Sequence, residues 1–281
     1  MALQPGLRGR PAYAAWSAAP APLRAAIEAC TGRVIASVPA PAGRSARLTL
    51  SLTVPCGQVF LKATPTTHRH AHTLEAEARI APFVKGISPA LLGDGTAGGW
   101  RWLLLEHIPS RHADLSASST DLGALADVLQ RLMAVKAPQS RATLQPEDRW
   151  ADLCGDLDLG ALAGGQLVHT DLNPGNILIR RDGTAALVDW ARPGRGAGWL
   201  SIGFLLASLI HAGTSPESAQ NWARQSLPAW AAAPDHAVDT FVAALARRRA
   251  EQAATSSPAR RTEREREFRS AQRWHAFRTA L

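Results

Sequence analysis

Cysteine is scarce in this 281-residue chain: Cys30, Cys56 and Cys154 are widely spaced, with no C-x-x-C pair. That excludes a disulfide framework and a zinc cage as the basis of the fold. Long hydrophobic runs are missing too, since the longest, Trp199 to Ala212, contains His211 and is too short to span a bilayer. The stretch from Met1 to Trp16 has no apolar segment of the kind a signal peptide carries. The expectation is a cytoplasmic protein with no membrane span. Lysine is nearly absent, with only Lys62, Lys85 and Lys136. Acidic residues are also the minority, but the imbalance is local: residues 247 to 281 hold ten Arg against four Glu, a surplus of six within a net charge of +8. The basicity therefore belongs to the tail, where Glu263 with Arg266 and Glu265 with Arg269 have the spacing of a solvated helix. Nucleic acid is not the expected partner.

Hydrophobic residues make up 46% of the chain, enough for a substantial core. Residues 1 to 32 read as a loose lead-in and a short helix, Pro22 to Cys30, stopped near Gly32. Arg47 to Val54 alternates strictly, with Leu48, Leu50, Leu52 and Val54 on one face, the signature of a half-buried antiparallel strand. Pro55-Cys56-Gly57 turns it back into Gln58 to Ala63. Pro89 to Gly93 and Trp100 to His107 read as two more strands, joined by a turn from Asp94 to Gly99. Beyond Ile108 the chain is mainly helical, over Asp121 to Val135, Trp199 to His211, Pro216 to Gln225, His236 to Ala250 and Arg260 to Phe277, with Pro138 to Pro146 a connection. The fold class expected is α+β in two lobes: a small antiparallel sheet with one helix over 33 to 108, and a helical lobe over 109 to 281.

Lys62 sits inside an apolar strand, where burial requires a carboxylate or a phosphate as partner. The helix that follows, Thr73 to Val84, offers Glu75 and Glu77, of which Glu77 is the favoured partner. Between them, His68, His70 and His72 stand at alternate positions without an acidic or Cys ligand, and read as a polar loop rather than a metal site. Trp150, Trp199, Trp222, Trp230 and Trp274 read as core rather than as the lining of an acceptor pocket.

The stretch Gln166 to Trp190 holds His169-x-Asp171-x-x-x-x-Asn176, with Asp189 thirteen residues later. Asp182-Gly183, flanked by apolar runs, favours a two-residue hairpin turn. A hairpin centred there sets Asn176 opposite Asp189, with Cβ atoms roughly 4.5–5.5 Å apart. An amide oxygen and a carboxylate at that separation suit Mg2+. Asp171, in the loop before the first strand and with no basic residue beside it in sequence, is free to accept a proton.

A strand Lys, a helix Glu, an apolar strand running into a linker, H-T-D-L-N-P-G-N-I-L-I and a later V-D-W, in that order, resemble the aminoglycoside phosphotransferase and choline kinase group of the protein-kinase-like fold. The resemblance covers about residues 33 to 212. It implies transfer of the γ-phosphate of ATP to a hydroxyl of a small molecule. In those terms Lys62 meets the α- and β-phosphates and is held by Glu77, and the main chain at Glu106 and Ile108 meets the adenine edge. Asp171 is the catalytic carboxylate, His169 braces its loop, and Asn176 and Asp189 hold Mg2+. Three departures stand out. No G-x-G-x-x-G covers the phosphates, with only Gly43 and Arg44-Ser45 in the expected loop. Ser201 stands where many relatives have a loop-bracing Asp. The carboxy-terminal half is basic where aminoglycoside kinases show an acidic acceptor region. The first two motivate an alternative, a catalytically silent kinase-like binding protein.

Overall fold

The computed structural model describes residues 15–40, 46–139 and 143–280. Residues 1–14 of the expected lead-in and the Gly43, Arg44 and Ser45 stretch lie outside them. The chain divides into two compact units, Met1–Ile108 and Pro109–Leu281. No helix of the described residues is long and apolar enough to cross a membrane.

The first unit begins with α1 (Ala21–Thr31), ended by Gly32 at φ 76°, a conformation glycine adopts without penalty. Five strands follow: β1 (Ala36–Pro39), β2 (Leu48–Val54), β3 (Gly57–Pro65), β4 (Leu91–Ala97) and β5 (Trp100–Glu106). They form one antiparallel sheet in the order β1-β2-β3-β5-β4, with α2 (Ala71–Ile80) between β3 and β4. The alternation of β2 is realised residue by residue, with Leu48, Leu50, Leu52 and Val54 buried against Leu23, Ile27 and Trp102. Each such side chain contributes about 1.5–3 kcal/mol by leaving water. The turn expected from Asp94 to Gly99 is shorter than its composition suggests. β4 runs on to Ala97, and Gly98-Gly99, at φ 55° and 76°, makes the reversal. Gly95 is glycine for another reason: a Cβ there would lie 2.9 Å from the Trp102 ring.

The second unit contains β6 (Ser110–His112), α3 (Leu122–Met133), α4 (Pro146–Cys154), β7 (Gln166–His169), β8 (Ile177–Arg180), β9 (Ala185–Leu187), β10 (Pro193–Gly196), α5 (Leu200–His211), α6 (Pro216–Ser226), α7 (Pro228–Ala231), α8 (Asp235–Ala254) and α9 (Pro258–Thr279). β6, β8 and β9 form a three-stranded sheet, and β7 pairs with β10. α5 is buried nearly all round. Phe241 of α8 is its aromatic centre, with the rings of Phe204, Trp150, Trp199 and Trp274 at 5.2, 5.8, 5.9 and 6.0 Å. Trp230 packs on Trp199 and Trp274, while Trp222 is only half-buried. Many arginines of α8 and α9 are engaged within the chain. Glu267 takes both Arg249 and Arg264, Glu263 takes Arg266 at 3.4 Å, and the buried Arg278 sits between Asp235 and Asp239.

Candidate active site

In the first unit, Lys62 projects from β3 and its Nζ donates to both carboxylate oxygens of Glu77 on α2, each at 2.8 Å. The two residues are 8% and 6% exposed, so the pair is desolvated. Glu75, the other candidate, is exposed and faces Arg79 at 3.8 Å. Two residues, about 200° of helix phase at 3.6 residues per turn, separate them: Leu74 and Glu77 share the buried face with Ile80, and Glu75 does not. Glu106 closes β5, its N–H donating to the Ala90 carbonyl at 2.8 Å while its carboxylate accepts the Ala90 N–H at 3.1 Å. Ile108 is the last residue of the unit. The rings of His68, His70 and His72 lie 5.4 and 6.4 Å apart in sequence order. Among the described residues no group of three His, Cys, Asp or Glu side chains is placed to hold a metal ion.

In the second unit, β7 delivers His169 to the loop and β8 begins directly after it. The His169 ring is buried. Its Nδ1 accepts the Asp171 N–H at 3.3 Å, its Nε2 lies 3.0 Å from the Val188 carbonyl, and it packs T-shaped on Trp190 with ring centres 4.5 Å apart. A neutral ring protonated at Nε2 satisfies both bonds at once. The His169 N–H donates to Ser201 Oγ at 3.1 Å, and Ser201, at the start of α5, is fully buried. The serine thus supplies a brace between α5 and the loop where a carboxylate was the expected one.

Asp171 is exposed. Its carbonyl accepts the Asn176 Nδ2 at 2.8 Å, and its Oδ1 accepts the Asn173 Nδ2 at 2.9 Å. Oδ2 makes no hydrogen bond among the described residues. Asn173 is locked in turn, its Oδ1 accepting the Gly175 N–H at 2.9 Å to cap the 3-10 turn Pro174–Asn176. These amide bonds fix the flip of Asn176: with Nδ2 on the Asp171 carbonyl, Oδ1 is the group left to meet a ligand.

The hairpin register differs from the expected one by a residue. Ile177 pairs with Leu187 and Ile179 with Ala185, and the Val188 N–H donates to the Asn176 carbonyl at 3.0 Å. Asn176 is therefore opposite Val188, not Asp189. The loop has three residues, Arg181 to Gly183, closed by Arg180 N–H to the Thr184 carbonyl at 2.8 Å, with Gly183 at φ 84°. Asp182 Oδ1 accepts both the N–H and the hydroxyl of Thr184, at 2.9 and 2.7 Å, which favours this longer turn and lowers the Asp182 pKa. Asp189 follows with φ 67°, the only left-handed residue other than glycine among those described. The direction of its side chain is set by that reversal and not by strand alternation.

Sequence neighbours of Asp171 conceal its spatial ones. Arg149 of α4 donates from Nη2 to the Arg192 carbonyl at 3.0 Å, and the Thr170 hydroxyl donates to the same carbonyl at 2.6 Å. Arg149 is partly buried, and its pKa falls to about 10, first through lost hydration and then through the charges of Arg192 and Arg248. Asp171 acts on it in the opposite sense. With Thr170 and Arg195, Arg149 borders a small and mainly apolar cleft of about 10 Å3, room for a single water molecule, shared with Trp150, Leu200 and Phe204. Neither Arg149 nor Asn173 was singled out by the sequence reading. The Asn-Pro-Gly-Asn string signals a capped turn, whereas α4 has no apolar period long enough to announce itself.

No protein-family model matches the chain, and no curated protein is detectably similar to it in sequence. Solved structures share its fold. The AMP-bound spectinomycin phosphotransferase APH(9)-Ia superposes with a TM-score of 0.60 over 90% of this chain and 97% of that one, at 10% identity. Choline kinase LicA from Streptococcus pneumoniae gives 0.56 over 91% and 98%, at 13% identity. An aminoglycoside-3'-phosphotransferase of type VIII gives 0.55 over 77% and 96%, at 20% identity. The chain has the two-lobed α+β, protein-kinase-like fold of these enzymes.

Proposed function

We propose, from this shared fold and the residues on it, that the chain is a phosphotransferase that moves the γ-phosphate of ATP to a hydroxyl group of a small molecule. The observation that carries the reading is the Lys62–Glu77 pair. A desolvated ion pair is a poor source of stability compared with apolar residues of the same size, so its presence points to a ligand for the ammonium. In this reading Lys62, steadied by Glu77, meets the α- and β-phosphates, and the main chain at Glu106 and Ile108 meets the adenine edge.

Asp171 Oδ2 accepts the proton of the acceptor hydroxyl while that oxygen bonds to the γ-phosphorus and the bond from phosphorus to the bridging oxygen of ADP breaks. Asn173 orients the carboxylate through Oδ1, and His169 and Ser201 hold the loop. Asn176 Oδ1 and the Asp189 carboxylate are hard oxygen donors that fit Mg2+. Bound there, the ion supplies neutralisation of phosphate charge. The Ser201 bond to His169 weakens the case for a catalytically silent binder, because the loop is braced without the expected Asp.

The test is ADP release and phosphate transfer with a panel of hydroxyl compounds. Asp171→Ala should abolish transfer while Mg-nucleotide still raises the melting temperature. Transfer retained by that variant would overturn the role of Asp171. No stabilisation by any Mg-nucleotide would overturn the nucleotide-binding reading itself.

A further inference from the structure

Arg149 stands within electrostatic range of Asp171. Arg149, Arg192 and Arg195 have no carboxylate within 4 Å among the described residues, whereas Arg248, on the other side of α4, is paired with Asp152 and Glu251 at 3.7 and 2.7 Å. Arg149 uses its guanidinium for one bond, to the Arg192 carbonyl, and its other nitrogens are not sealed from solvent. The placement is enforced from behind, since the Arg149 carbonyl accepts Arg248 Nη2 at 2.8 Å, tying α4 to α8. From the front, the Arg192 carbonyl joins Arg149 to Thr170, the residue before Asp171. Arg192 immediately precedes β10, whose first residue Pro193 pairs with His169, and its side chain is exposed.

An arginine held partly out of water without a carboxylate is a ready oxyanion donor set, because its planar fork matches carboxylate and phosphate. Arg149, held by these bonds within range of the carboxylate that meets the acceptor hydroxyl, also repels a cationic acceptor.

We propose that the acceptor is a hydroxyl compound carrying an oxyanion, a carboxylate or a phosphate monoester, which Arg149 and Arg192 take up beside Asp171. The proposal rests on the phosphotransferase reading above and narrows it to a substrate class.

The experiment is calorimetric titration of D-glycerate, sn-glycerol 3-phosphate, glycerol and choline into the full chain saturated with Mg-AMP-PNP. At least one of the two anions should bind more tightly than glycerol and choline, and the glycerate and glycerol phosphate arms separate the two anion sources. Arg149→Gln should weaken that binding roughly tenfold, the loss of one charged hydrogen-bonded contact. Arg192→Gln, altering an exposed side chain, should weaken it in the same direction and guards against a folding defect in the first variant. Equal or absent binding of the anions, or anion binding indifferent to both substitutions, overturns the proposal. So does a loss of Mg-AMP-PNP affinity as large as the loss of anion affinity, which would assign the arginines to the nucleotide. If anions bind through Arg149 yet no phosphate reaches any acceptor, the anion site stands and the phosphotransferase reading falls.

Discussion

Ser201 Oγ accepts the backbone N–H of His169 across 3.1 Å in a fully buried position, joining α5 to the loop that carries Asp171. Removing the acceptor strands a buried N–H, which costs about 1–3 kcal/mol. Ser201→Ala should therefore melt several degrees lower, at about 2–4 °C per kcal/mol for a chain of this order. Turnover should fall further than stability explains, because the loop loses its anchor. A variant that melts lower but keeps the full rate per folded molecule would reduce the serine to a packing role.

Lys62 and Glu77 should behave as a unit. Either Lys62→Met or Glu77→Leu alone removes one half of a buried ion pair, a loss of about 3–5 kcal/mol. The double variant should recover much of that in urea unfolding while remaining unable to transfer phosphate. Additive losses in the two single variants would mean that the residues do not rely on each other.

Gly164 and Gly165 are adjacent and should respond oppositely to alanine. A Cβ on Gly164 would lie 2.4 Å from the carbonyl group of Gly196, backbone that cannot rotate away, while a Cβ on Gly165 meets nothing within 4 Å. Gly164→Ala should destabilise by about 1–3 kcal/mol and disturb the β7–β10 ladder. Gly165→Ala should melt within a degree or two of the native chain, as a surface substitution does, within about 0.5 kcal/mol. Comparable melts for the two variants would contradict the close approach at Gly196.

Asp121 is nearly buried and accepts both Arg111 Nη atoms at 2.6 Å and the Asp114 N–H at 2.9 Å. The Arg111 bonds, foremost, hold its carboxyl below the usual carboxylate range. A folded pKa below the unfolded one means that the stabilisation is complete above about pH 4, where the unfolded carboxyl is ionised, and is lost as pH falls through the folded value. Melting curves on the acid side should show this as a slope that Asp121→Asn reduces. A slope unchanged in that variant would assign it to other groups.

The sequence reveals some of these relations and conceals others for definite reasons. Lys62 announced its partner because an ammonium in an apolar strand has few tolerable neighbours and helix phase separates Glu77 from Glu75. The strict alternation of Leu48 to Val54 likewise left one register for β2. The hairpin register slipped because Asp182-Gly183 suits loops of two and of three residues, and the choice was made by the Thr184 bonds to Asp182. The expected turn before Trp100 is too long because Asp94-Gly95 looks like loop sequence, whereas Gly95 is the strand residue over which Trp102 lies. Arg149 was invisible because α4 is nine residues long and its role depends on Arg192, 43 positions away.

The left-handed backbone at Asp189 sets two demands against each other at a single codon. An L-residue there is strained by about 1–2 kcal/mol, and Gly or Asn fits that conformation at least as well as Asp. A population of variants selected for heat resistance alone should admit Gly and Asn at 189, whereas one selected for phosphate transfer should hold the carboxylate. Sequencing both populations would show whether that position is retained for what it binds or for how it folds.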